Sequence, residues 1–264
     1  MKHIRTIINK EWAEVFKNRT VLYTTLLLPL IFAILPLIML KSTAGSLPDT
    51  GDAAATGLPE GFLKSCQGMT GSDCLQAYLV SQFMFMFMLM PMIIPINIAA
   101  YSIVGEKTTR SLEPLLATPI TTVELLAGKC LAAVLPAVGA TYLSIGVFNL
   151  GMFLLKTSSG VIAYVNSPIW LLAIFVLGPL LALISALFAL YISSRVTDPR
   201  VAEQVSSVVI VPLMGIMLAQ MAGIVTLNLT MMLISIVSAA ALSFAMLHLG
   251  SAVFERENIL TRWK

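Results

Sequence analysis

The chain has 264 residues, of which 58 % are hydrophobic and only 11 % are Asp, Glu, Lys or Arg. A soluble domain carries roughly 45–50 % apolar and about 25 % charged residues, so an ordinary soluble protein, a disordered chain and a nucleic-acid binder are excluded; the mean hydropathy of +0.92 agrees. The net charge of +3 is small, and the placement of the charges is more informative than their sum.

Residues 2–19 read KHIRTIINKEWAEVFKNR. Ile4, Ile7, Ile8, Trp12, Val15 and Phe16 follow helical spacing and form one stripe, with Lys2, Arg5, Lys10, Glu11, Glu14 and Lys17 off it. A basic amphipathic helix with Trp and Phe on its apolar face lies along a membrane surface. It serves as an anchor that tilts the first span or as a lever that a partner pushes. The polar lead of residues 1–19 is long for a signal peptide, and the apolar run that follows exceeds the usual length, so the first span is expected to be retained.

Crossing a bilayer takes roughly 20 apolar residues in a helix. Stretches free of charged side chains place six spans, at about 20–40, 79–102, 130–153, 169–192, 205–223 and 229–250. The last two share one charge-free gap of 51 residues between Glu203 and Glu255, with Gly223 and Asn228 as turn markers. Backbone groups within a bilayer must be bonded inside the segment, so the spans are helices, and the alternation of a barrel strand is absent. The expected fold class is therefore an all-α membrane protein. It has an interface helix at 1–19, a six-helix domain at 20–250 and a tail at 251–264.

Six spans put both termini on one side. The segments 1–19, 103–129, 193–204 and 251–264 hold 13 of the 16 Lys and Arg residues, which makes that side cytoplasmic. The outer segment 41–78 carries Cys66 and Cys74, with seven residues between them. In an oxidising compartment this spacing suggests a local disulfide rather than two free thiols. Cys130 begins the third span.

Within the second span, residues 83–92 read FMFMFMLMPM. Met84, Met88 and Met92 share one helical face, and Met86 and Met90 lie on another. Adaptable apolar packing, a flexible wall for hydrophobic cargo and a thioether site for Cu(I) are the alternatives, with packing favoured. Pro91 and Pro95 are expected to kink the helix. Asn97, Tyr142, Asn149, Ser185 and Gln220 are uncharged polar residues inside spans; they line a path or bond between helices. Met84, Met88, Asn97, Tyr142, Asn149 and Gln220 are the candidates for a translocation path.

The inner loop 105–129 reads GEKTTRSLEPLLATPITTVELLAGK. Its spacing predicts a short helix over Arg110 to Ala117, with Leu112, Leu115 and Leu116 on one face. Thr118-Pro119 stops it, because the residue before proline avoids the helical region. Thr121 then caps a second helix, Glu124 completes a T-x-x-E capping box, and Ile120 and Leu125 are placed as its hydrophobic staple. This helix runs into the third span through Leu126 and Lys129. The loop is amphipathic, its leucines need cover, and both of its ends are fixed to spans. In the second inner loop, 193–204, Asp198-Pro199 reads as an N-cap followed by proline at the first helical position.

Gly105-Glu106-Lys107, Ser111-Leu112-Glu113, Leu115-Leu116-Ala117-Thr118-Pro119 and Glu124-Leu125-Leu126-Ala127-Gly128-Lys129 together resemble the membrane subunit of ABC type-2 permeases, ATP-binding-cassette exporters. The six-span layout, the amphipathic lead and the outer loop after the first span extend the resemblance over nearly the whole chain. Pro114, inside the first short helix, is a departure. The resemblance implies that 103–129 is a coupling loop that docks into a groove on a separate ATPase subunit. Within it, Glu106, Leu112, Glu113, Leu115, Leu116 and Glu124 are the candidate ATPase-coupling residues: the leucines need a partner's cover, and Glu113 and Glu124 offer it polar contacts unless the capping box occupies Glu124 fully. It further implies a multi-pass permease of a prokaryotic cell membrane. That permease works with a second copy of itself or a similar permease, with ATP and Mg held by the partner, no cofactor in this chain and no nucleic acid.

The remaining chemistry is sparse. A P-loop needs G-x-x-x-x-G-K-[ST], whereas the single Gly-Lys pair, Gly128-Lys129, is followed by Cys130. No carboxylate falls within a span, and His248 sits at the inner end of the sixth, so the intramembrane acidic site of a proton-coupled carrier is missing. Neither G-x-S-x-G nor H-E-x-x-H occurs. An intramembrane enzyme and an ATP-independent carrier or channel are thus the weaker readings.

Overall fold

The computed structural model describes residues 2–17, 19–43, 62, 71–108, 120–225 and 227–253, and no strand occurs among them. The helices, in chain order, are α1 (Lys2–Lys17), α2 (Arg19–Thr43), α3 (Gly71–Thr108), α4 (Thr122–Leu154), α5 (Ser159–Val165), α6 (Pro168–Leu172), α7 (Gly178–Arg195), α8 (Pro199–Ser206), α9 (Val211–Met221) and α10 (Leu229–Val253). A π-helical turn, Ala173–Leu177, joins α6 to α7, and a 3-10 turn, Ser207–Ile210, joins α8 to α9. Among the described residues, five helical stretches are long and apolar enough to cross a membrane, at Ser72–Lys107, Val123–Leu154, Ser159–Arg195, Pro199–Met221 and Leu229–His248. Leu27–Thr43, within α2, is a shorter apolar helix. The chain is thus an all-α membrane protein.

The charge-free stretches fall on these helices, but the helices overrun them. α3 begins eight residues before position 79 and continues to Thr108. A charge does not end a helix: Asp73 lies in the first turn of α3 and Lys107 in the last, each at the end whose dipole it complements. The turn before α10 forms as its residues dictate. Gly223 adopts a positive φ of 74°, which glycine tolerates without steric cost, and Asn228 Oδ1 accepts from Met231 N–H at 2.7 Å, a helix N-cap. The short helix α5 is unanticipated. Its Val161 and Val165 are buried in the main core, and Asn166 just beyond it donates to Asn149 Oδ1 of α4 at 2.9 Å.

α3 is the central helix, packing most extensively on α7 and also on α4, α2, α8 and α5. Phe87, Phe148, Met84 and Met90 are fully buried there. α9 and α10 leave large apolar side chains exposed, among them Val211, Leu218, Ile234, Val237 and Phe244.

The π turn has a local cause. Pro179 lies in the first turn of α7; it has no N–H for the carbonyl of Phe175, and its ring crowds that carbonyl. The turn widens, Gly178 N–H reaching back to Ala173 O, and the Tyr142 hydroxyl donates to Phe175 O at 3.4 Å. The two rings meet at a tilt of 42°, with centroids 4.8 Å apart.

Candidate functional site

Leu112, Glu113, Leu115 and Leu116 lie outside the described residues, but both flanks of their segment, the end of α3 and the start of α4, are described. Thr121 precedes α4 with extended backbone, φ −74° and ψ 151°. Its hydroxyl accepts from Glu124 N–H at 3.2 Å, and its own N–H donates to Glu124 Oε2 at 3.1 Å. The capping box is therefore complete, and one carboxylate oxygen of Glu124 is engaged in it. As its spacing predicts, the helix it starts runs without a break through Leu126 and Lys129 to Leu154.

Inside these flanks, α1, α3 and α4 converge on a buried ionic cluster. Lys129 of α4, 2 % exposed in its side chain, meets Glu11 of α1 at 2.7 Å and Glu106 of α3 at 3.0 Å. It also donates to Ser102 Oγ at 2.8 Å. Ser102 and Glu106 are four apart and share a face of α3; the Ser102 hydroxyl donates to the second oxygen of Glu11 at 2.9 Å. Lys10 closes the group from the side, its Nζ 2.6 Å from Glu106 Oε1. Burial of the Lys10 stem works against its charge. The hydrogen bond and charge of Glu106, helped by Glu14 and Glu11, outweigh that and raise its pKa above the ordinary lysine value. The two cations balance the two anions, the condition under which buried charges persist. The cluster stands close to the segment it flanks. Lys129 is seven residues into α4, about 10 Å along the axis.

The amphipathic spacing of α1 assigns its stripe to a membrane surface, and the structure corrects this for part of the stripe. Ile7 is buried against Gly128 of α4, where an added Cβ would stand 2.9 Å from both Ile7 Cβ and Cγ2. Val15 packs on the main core. Glu11, placed off the stripe by its charge, is one turn on from Ile7 and buried with it. Trp12 Nε1 donates to the carbonyl of Ala132 at 3.0 Å. Gly128 and Ala132 are thus a small-xxx-small pair that admits α1 closely. Gly128→Ala is expected to push α1 outward, because the obstructing atom is a β-carbon next to the backbone. Overpacking costs roughly 1–3 kcal/mol, and helix propensity returns up to about 1. A thermal melt of the detergent-purified protein, with tryptophan emission as the probe, should show a lower midpoint and a red-shifted Trp12.

Adjacent residues on α3 point about 100° apart, and the Glu-Lys pair uses this. Glu106 faces α1 and α4, while Lys107 turns to α7 and donates to Ser194 O at 2.6 Å, with Ser193 O and Val196 O each at 3.4 Å. A cation on the last carbonyls of a helix meets unpaired acceptors and the negative dipole end. Ser193 binds α3 in return: its hydroxyl accepts from Val104 N–H at 3.1 Å and donates to Ala100 O at 2.8 Å. The cap in 193–204 forms as read, with Asp198 Oδ1 accepting from Arg200 N–H at 2.8 Å and Pro199 in the first turn of α8. Ala202 of α8 packs on Ala100 and Val104.

The other residues singled out by sequence lie apart from this cluster. Met84 and Met88 are buried in the core. Asn97 is half-buried, Tyr142 bonds the π turn, and Asn149 is tied to Asn166. Gln220 is buried at the end of α9, and its Oε1, like the Ser185 hydroxyl, meets no hydrogen-bonding partner among the described residues. Cys74 is buried near Phe62 and Ala77; Cys66, its expected partner, lies outside the described residues. Cys130 is a free, buried thiol.

A multi-pass helical membrane protein, with a charged joint where an N-terminal helix meets two spans, is the class that fold and site define. Residues 5–253 match the family described as ABC-2 family transporter protein. The chain belongs to that family and is a transmembrane subunit of an ABC transporter. No curated protein matches it in sequence.

Proposed function

We propose that the chain is the permease subunit of an ATP-driven exporter. In this reading the inner segment 103–129 is cytoplasmic and docks on a separate ATPase subunit, and two permeases, identical or similar, form the translocation path. The observation that carries it is the cluster of Glu11, Glu106 and Lys129. It ties both flanks of the segment to each other and to α1, so that a displacement at the segment passes into three helices without slack. The excess of Lys and Arg in the inner segments supports the orientation. The apolar faces that α9 and α10 leave exposed suit lipid and a second permease.

The test is first whether an ATP-binding-cassette ATPase is encoded beside the chain's gene, then co-expression with that ATPase and purification into lipid nanodiscs through a tag on this chain. The expected product is a complex that hydrolyses ATP, whereas the chain purified alone hydrolyses none. Recovery of the chain without the ATPase would overturn the reading.

A further inference from the structure

In an α-helix each carbonyl accepts from the N–H four residues on, so Ala100 O and Val104 N–H are the two ends of one rung of α3. Both are held from outside the helix. The Ser193 hydroxyl of α7 accepts from Val104 N–H at 3.1 Å and donates to Ala100 O at 2.8 Å. A hydroxyl has one donor and two acceptor lone pairs, so this one group satisfies both ends. Ser193, Ala100 and Val104 are fully buried, where a stranded backbone group would find no water. Two residues on, the Lys129 ammonium donates to Ser102 O at 3.2 Å, the acceptor of the rung that leads to Glu106. Gly105 follows Val104 inside the helix, and a Cβ added there would meet nothing within 4 Å. Packing among the described residues therefore does not demand glycine at this position, and glycine weakens a helix relative to alanine. Helices bend where a side chain enters the ladder. Pro91 and Pro95 also interrupt α3, but a proline removes its rung for good, whereas the rung at Ala100 and Val104 can be made and broken.

We propose that the turn from Ala100 to Gly105 is a hinge in α3 and that Ser193 is its positioning residue: the Ser193 hydroxyl bonds both ends of the rung when the rung opens, and Gly105 lets the backbone follow. A contact shifts an equilibrium only by what it adds to one state over the other. With the rung closed, Ala100 O and Val104 N–H have each other; with it open, they have only Ser193. The hydroxyl therefore favours opening. Beyond the hinge, Lys107 keeps the end of α3 on the last carbonyls of α7, at 2.6 Å from Ser194 O and 3.4 Å from Ser193 O and Val196 O. Its ammonium carries three rotatable donors, so this clasp can follow as α3 swings. Glu106, on the same side of the hinge, carries the hold of Lys10 and Lys129. The inner end of α3 thus tilts about the end of α7 while its span stays packed in the core. That the tilt carries a push from 103–129 rests on the proposed coupling function; the hinge itself does not.

The first measurement uses the chain alone in nanodiscs, with residue-resolved amide hydrogen exchange at Gly105, Glu106 and Lys107 reading local opening of the turn. Ser193→Ala leaves both ends of an open rung unsatisfied, so the turn should open less often and exchange should slow about fivefold or more. A hydroxyl that only fastens α7 to α3 predicts the opposite sign: faster exchange in Ser193→Ala would overturn the hinge. Gly105→Ala is the second variant, since open space surrounds the added methyl group. It should slow the same amides roughly two- to fivefold, the preference of a helix for alanine, and leave the melting midpoint no lower. Unchanged exchange in Gly105→Ala would overturn the hinge as well. The second measurement uses the complex with the ATPase, comparing nucleotide-free and ADP-vanadate states. In the wild type, nucleotide should change exchange at these amides. In Ser193→Ala the change should vanish while the ATPase still co-purifies, because Ser193 is buried inside this chain. A wild-type complex that shows no change there, or a Ser193→Ala complex that responds as the wild type does, would overturn the role of the hinge in coupling. If no ATPase co-purifies with the wild type, the proposed function fails, and the exchange of the chain alone still judges the hinge.

Discussion

Lys129→Met is expected to destabilise the helical domain by roughly 3–5 kcal/mol, the cost of removing one partner from a buried charge group. Two carboxylates, Glu11 and Glu106, lose a cation at 2.7 and 3.0 Å, and Ser102 loses a donor. Lys10 cannot replace it, since it reaches Glu106 from a partly exposed position. Glu106→Gln should be milder, because Lys129 keeps Glu11 and Ser102 and the amide oxygen still accepts. Combining Lys129→Met with Glu11→Gln and Glu106→Gln should recover much of the loss, since the anions that needed Lys129 are gone. Thermal melts and the monodisperse fraction after detergent extraction give the order: the single lysine variant lowest, the triple variant above it, Glu106→Gln nearest the wild type. A lysine variant that melts with the wild type would mean that the cluster is hydrated rather than buried.

That cluster was only half legible in the sequence, and the reason is physical. Features that depend on neighbours in the chain could be read directly. The box at Thr121 and Glu124, the cap and proline at Asp198-Pro199 and the turn between Gly223 and Asn228 each need only a few consecutive residues. The membrane stretches could be read because the bilayer excludes charge over a fixed length. Glu11 could not be placed, since a carboxylate on an amphipathic helix is assigned to water until a lysine 118 residues away is seen to meet it. Lys107 and Ser193 were missed likewise, as their partners are backbone carbonyls and an amide on another helix. Proline leaves a partial signal: Pro136 and Pro179 mark Ala132 and Phe175 as stranded acceptors by counting back four. That Trp12 and Tyr142 supply the donors depends on packing, which no local pattern encodes. α5 was hidden because its seven residues are too few for a periodic signal.

Leu115→Asp is expected to abolish co-purification of the ATPase while leaving the helices inserted, because position 115 lies outside all six spans expected from the sequence. Its sequence spacing puts Leu112, Leu115 and Leu116 on one helical face. Burying one leucine is worth roughly 1.5–3 kcal/mol, and an aspartate in its place would also have to be desolvated. Loss of that contact alone lowers affinity about tenfold or more, as each 1.4 kcal/mol is a factor of ten. Glu124→Gln is the contrasting variant. Glutamine serves as well as glutamate in the capping box, so α4 should keep its start and its melting midpoint. Any fall in ATPase recovery then reports a lost charge pair with the partner. The measurement is the yield of ATPase recovered through a tag on this chain, with a melt of each variant as the folding control. Recovery at the wild-type level with Leu115→Asp would remove 103–129 as the main docking element. The loop 193–204 would take its place, since its Ala202 packs on Ala100 and Val104 of α3 and could pass a push into the same helix.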